Sequence, residues 1–186
     1  LYVGVPAGLQ FVTFDLANLL IQSGINSFGD VAVAAWTAYV KTDSLTWMIS
    51  GAFGVSVATF VGQNFGAQKY DRIKAGVRMG VLLSILIHIP LSAVEIFGGK
   101  RIASLMVTDP PVLELCRQYL LIVGIFVFFL GFLMVFRNCI QGMGNTWIPM
   151  LSGGLEVFSR LIFGYWLGRH SFMGIAAAKA SAWISV

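Results

Sequence analysis

From Ser44 to Gln68 the chain runs 25 residues without a Lys, Arg, Asp, Glu or His. Wound as a helix at about 1.5 Å per residue, that run outspans a hydrocarbon core of about 30 Å. A helix on a water-soluble domain keeps one polar face, and this stretch keeps none. The pattern recurs. Gln118 to Phe136 carries no charge, Met79 to Val94 only His88, Val3 to Gly29 only Asp15, and Trp147 to Gly168 only Glu156 and Arg160. The sequence predicts an all-α polytopic membrane protein, and its few ionisable groups within spans mark where function is expected.

Composition points the same way. Hydrophobic residues make up 58% and charged residues 11%, against about 45–50% and about 25% in ordinary globular chains. The 21 glycines among 186 residues suit membrane helices whose backbones approach closely. A net charge of +4 with no basic run beyond Lys69–Arg78 reads as loop charge near a membrane surface, not as a nucleic-acid footprint. Cys116 and Cys139 have no paired spacing for a metal or a disulfide and read as small apolar filler. No metal and no cofactor are expected.

Six spans follow, a six-helix transmembrane bundle: A at 3–29, B at 44–66, C at 77–98, D at 115–137, E at 147–168 and F at 172–186. Span F is short of the roughly 20 residues a crossing needs, so the expectation is one part of a longer transporter-sized polypeptide. The C–D segment, with Lys100, Arg101, Asp109, Pro110, Pro111 and Glu114, is expected along the surface. Lys69, Arg72, Lys74 and Arg78 crowd into the B–C loop, which places that loop, the D–E loop and the start of span A on the cytoplasmic side.

Span A carries a polar stripe. At 100° per residue Asp15, Gln22 and Asn26 fall within about 40° of one another, with Asn18 about 60° to one side. A charged Asp at mid-span costs about 2.5–3.5 kcal/mol on insertion scales, so the stripe should face a protein interior or a wet cavity. It is read as the lining of a substrate or ion path, with Asp15 binding a cation or a proton. The other reading is an interhelical hydrogen-bonding seam.

The remaining spans carry fewer signals. Ser50, Gly54, Ala58, Gly62 and Gly66 recur every four residues along span B, a ridge for close helix packing. Gly66 is a natural left-handed stop for that helix. In span C, Pro90 predicts a kink. His88 is either hydrogen-bonded to a neighbour or a proton relay, and Glu95 is expected near the interface. In span E, Glu156 and Arg160 share a face at i, i+4, as an internal ion pair or as a gate or substrate contact. The polar turn Arg137 to Asn145 should be buried against other helices.

Three stretches then carry a resemblance. Gly4-Val5-Pro6-Ala7-Gly8-Leu9-Gln10 opens span A, Val61-Gly62-Gln63-Asn64-Phe65-Gly66-Ala67 closes span B, and Gln141-Gly142-Met143-Gly144-Asn145-Thr146 precedes Pro149. In this order and separation they resemble signatures of the multidrug and toxic compound extrusion (MATE) family. The resemblance implies twelve helices in two six-helix lobes, with this chain similar to the C-terminal lobe and the N-terminal lobe as its partner. It implies an antiporter that exports organic, often cationic compounds against inward protons or sodium by alternating access. Some members bear coupling acids on helices seven and ten. Span A offers Asp15, while span D has no acid. Related polysaccharide flippases share the architecture and stand as the alternative. An intramembrane enzyme would need a nucleophile–base pair or a metal cluster. His88 and His170 with no clustered acids supply neither, so no enzymatic activity is expected.

Overall fold

The computed structural model describes residues 4–168 and 172–184; Arg169, His170 and the end of span F lie outside them. Among the described residues seven α-helices follow one another: α1 Gly4–Asn26, α2 Asp30–Gly66, α3 Tyr70–Ala93, α4 Gly99–Ala103, α5 Pro110–Gly142, α6 Trp147–Gly168 and α7 Phe172–Ile184. A π-helical turn, Val94–Gly98, joins α3 to α4. Among the described residues, Asp30–Gly66, Tyr70–Ala103 and Pro110–Gly142 are each long and apolar enough to cross a membrane. The 23 residues of α1 and 22 of α6 also reach the crossing length of about 20. The chain is an all-α membrane bundle.

Helix α5 is the strut of the bundle. Cys116, Tyr119, Leu120, Val123, Val127 and Leu130 are wholly buried at spacings of three and four, so one long stripe meets its neighbours. Ile25 of α1, Ala35 and Tyr39 of α2, and Ile175, Ala176 and Trp183 of α7 close the same core. Proline at the first two positions of α5 follows Asp109 in extended conformation, where the missing N–H costs nothing.

The ridge on α2 packs as expected. A Cβ on Gly54 would come within 2.5 Å of Asn138, and one on Gly142 within 2.5 Å of the Ala58 carbonyl oxygen. Backbones therefore touch where α2 crosses α5, the geometry that small residues permit. Val61, Ile73 and Cys139 pack together with Met143, so the α2–α3 and α5–α6 turns lie at one end of the bundle.

Four expectations are corrected. Helix α2 begins at Asp30 and not at residue 44; Ala32, Ala35, Ala38 and Tyr39 recur at helical spacing and are buried, which outweighs the charges at Asp30, Lys41 and Asp43. Helix α5 likewise extends beyond 115–137 at both ends. The left-handed stop of α2 is Gln68, φ 55°, and not Gly66; Lys69 N–H donates to the Asn64 carbonyl and Gln68 N–H to that of Phe65, the paired bonds of a Schellman cap. Glu95, expected near the interface, sits in the π-turn and is buried among protein side chains. Seven residues beyond the buried His88, it continues the inward face of α3. The α5–α6 turn is mixed: Gly142 is pressed on Ala58 and Thr146 is buried, while Gly144 and Asn145 are exposed. There the Asn145 Oδ1 accepts the Trp147 and Ile148 amides at 3.1 and 3.2 Å, satisfying two free donors of α6.

Candidate substrate- and ion-binding site

Helix α1 presents its polar stripe on the open face of the lobe. Asp15, Asn18 and Asn26 are exposed and Gln22 is half-buried. The Gln22 amide donates to the Asn26 Oδ1 at 3.0 Å, so part of the stripe is self-bonded. The opposite side of α1, with Ala17 and Ile25, is buried. A Cβ on Gly153 of α6 would meet Gln10, which shows how closely α6 supports that side. Asp15 is turned roughly 120° from this packed face and so points out of the lobe.

Asn18 bridges the stripe to a buried charge cluster. Its Oδ1 accepts from Arg160 at 3.4 Å, and the Arg160 guanidinium lies 5.9 Å from the Phe14 ring centroid, inside cation–π range. Glu156 is completely buried. One of its oxygens binds Arg160 at 2.9 Å and the other binds Arg137 of α5 at 2.9 Å. The i, i+4 pair read from sequence is therefore present, and Arg137, read there as the start of a polar turn, completes it. Arg137 also donates to Ser152 at 3.0 Å. Two guanidiniums on one carboxylate leave one excess positive charge, and Nε of each arginine is buried without a partner. Arg160 also lines a cleft of about 210 Å³ with Leu20, Ile21, Gly24, Gly164 and Tyr165.

His88 lies elsewhere, buried between serines. Its Nε2 is 3.0 Å from Ser50 Oγ, and its Nδ1 is 2.9 Å from the Ser84 carbonyl, to which it donates. That is the hydrogen-bonded histidine the sequence allowed for, and it does not join the α1 stripe.

Sequence reasoning missed a second polar group. Tyr39, Asp43, Thr46 and Ser50 form one buried stripe on α2 at spacings of four, three and four. Lys179 of α7, also buried, reaches the Asp43 Oδ2 at 2.6 Å and donates to the Tyr39 hydroxyl. The rings of Tyr39, Trp47 and Trp183 surround the ammonium at 4.9, 5.8 and 5.4 Å. Thr46 donates to Glu95 across the α2–α3 contact. The spacing 39, 43, 46, 50 was the signal, hidden because residues 30–43 read as a connection.

Known proteins align with this arrangement. Residues 6–166 match the model of the MatE family. A Thermotoga maritima protein named a probable multidrug resistance protein NorM is 25% identical over 181 residues, covering 96% of this chain and 39% of the relative. A Bacillus subtilis protein named a probable multidrug resistance protein YpnP is 27% identical over 184 residues, covering 99% and 39%. The chain thus spans about two-fifths of the length of these relatives. An outward-facing multidrug resistance MATE family transporter of the MOP superfamily superposes at TM-score 0.88 and 18% identity, over 98% of this chain and 41% of that one; at that identity the likeness speaks for the fold. A bundle of apolar helices built round α5, matched from residue 6 to residue 166, belongs to the MatE family of integral membrane transporters.

Proposed function

We propose that the chain is the C-terminal lobe of a secondary active antiporter, which exports amphipathic organic compounds, often cationic, in exchange for protons or sodium. The supporting observation is the open face of α1. Asp15, Asn18 and Asn26 stand exposed there beside Arg160, on a helix of mostly apolar residues. Polar groups on a membrane protein's open surface are costly against lipid. A second lobe across a wet cavity, with cargo between the two, removes that cost. The second lobe accounts for relatives more than twice the length of this chain. Alternating access then exposes the α1 face to each side in turn, with the α2–α3 loop on the cytoplasmic side.

A second reading of the cargo has its own support. The Arg137–Glu156–Arg160 cluster carries an excess positive charge beside the α1 face, which favours a compound bearing an anionic group. A Shewanella oneidensis relative, 29% identical over 144 residues, is named an FAD transporter.

The test uses the complete transporter in a pump-deleted strain and in proteoliposomes. Efflux of a fluorescent organic cation and of a flavin nucleotide is compared with sodium removed and with the proton gradient dissipated. Gradient-dependent export that Asp15→Asn abolishes is expected. Export indifferent to both gradients, or to Asp15→Asn, would remove the antiport assignment.

A further inference from the structure

The cluster on α2, the π-turn and α7 holds two carboxylates, Asp43 and Glu95, against one ammonium, Lys179. All three side chains are at least nine-tenths buried. Asp43 takes the ammonium at 2.6 Å and the Tyr39 hydroxyl at 3.0 Å. Glu95 has the Thr46 hydroxyl alone. Its Oε2 is buried with no hydrogen-bond partner, as is the Oδ1 of Asp43. The charged groups acting on Glu95 are Asp43 and Lys179. Arg160 acts on Lys179 and on Tyr119 of α5, and His88 is occupied by Ser50 and Ser84. Fully ionised, the cluster would hold one uncompensated negative charge in a low-dielectric interior, an arrangement that proteins relieve by neutralising the group.

We propose that the Asp43–Lys179–Glu95 cluster binds one proton, carried on Glu95, at a site separate from the polar face of α1. The proton comes from bulk water and forms an O–H bond on the free Glu95 Oε2. When it leaves, its bonding pair stays on Glu95 as the second negative charge, and Lys179 is then shared between two carboxylates instead of serving Asp43 alone. That pulls α7 and the π-turn toward each other across α2. The site's role in coupling rests on the antiporter reading above, whereas its occupancy does not.

The arithmetic is simple: the cluster holds as many protons as it has carboxylates in excess of ammoniums. Infrared spectroscopy of the purified full-length transporter in lipid reads this through the C=O stretch of protonated carboxyls, with a deuterium shift marking exchange. Wild type minus Glu95→Gln should show one such band near neutral pH. Asp43→Asn should lose the same band, because Lys179 is then free for Glu95, and Lys179→Met should gain a second. If Lys179→Met does not fold, as judged by gel filtration and circular dichroism, Asp43→Asn carries the test alone. A spectrum unchanged in Glu95→Gln, or a band that persists in Asp43→Asn, would overturn the proposal. So would a wild-type spectrum without the band combined with sodium-dependent thermal stabilisation that Glu95→Gln removes. Because the readout involves no transport, failure of the antiporter reading is recognised separately, by efflux.

Discussion

Arg137 and Glu156, on consecutive long helices, meet at 2.9 Å in the interior of the bundle, where Glu156 is completely buried. With Arg160 on the other carboxylate oxygen, both lone-pair sets of Glu156 are engaged. Breaking a buried ion pair by removing one partner costs about 3–5 kcal/mol, because the remaining charge is stranded. Glu156→Ala strands two. The variant of the full-length protein should unfold at a markedly lower temperature in detergent, and adding Arg137→Met should restore part of the loss. Unchanged thermal unfolding in Glu156→Ala would show that the cluster contributes nothing to stability.

Gly131 of α5 sits against α3. A Cβ there would come within 2.5 Å of Ser84 Oγ and 2.7 Å of His88 Nδ1. Overpacking of this kind costs about 1–3 kcal/mol. Gly131→Ala should therefore lower the midpoint of thermal unfolding. Gly51→Ala, where a Cβ meets nothing within 4 Å, should raise it, by up to about 1 kcal/mol of helix propensity. Equal effects at the two positions would contradict the packing described.

Gln68 holds a left-handed conformation, φ 55°, that glycine adopts without strain. A non-glycine residue there gives up about 1–2 kcal/mol. Gln68→Gly should stabilise the turn between α2 and α3 by about 1 kcal/mol. Slower hydrogen exchange at the amide of Lys69, which closes the turn on the Asn64 carbonyl, is the measurement.

Cys116 and Cys139 are free thiols and buried, whereas residue 15 is exposed. In the folded transporter a membrane-impermeant maleimide should leave both native cysteines unmodified until denaturant is added. Asp15→Cys should be labelled promptly if the α1 face lines an aqueous path. Mass spectrometry of the labelled protein distinguishes the three sites.

How much of this was legible in the sequence depends on the range of the signal. Charge-free runs marked the spans because lipid tolerates few alternatives. The Glu156–Arg160 pair was legible because i, i+4 neighbours face each other on any helix. Arg137 was not, since its partner lies 19 positions away and only the α5–α6 reversal brings the two together. Lys179 and Asp43 are 136 positions apart, and no local period connects them. Glu95 was read without its partner. It lies seven residues beyond His88, on the same helical face, but Thr46 is 49 positions away and no local period connects the two. The α1 stripe was legible as a stripe, but which way it faced depended on where α6 packs.

The glycines of α5 meet three neighbours in succession. Gly124 lies against Glu95 and Ile96, Gly131 against Ser84 and His88, and Gly142 against Ala58. Contacts this close leave no slack for sliding, because a shift of one methyl group's width in any of them means collision. The elements around α5 are thus keyed to it like wards to a lock. On the antiporter reading proposed above, rocking swings the core of α2, α3 and α5 as a single piece, with the give reserved for margins such as α7.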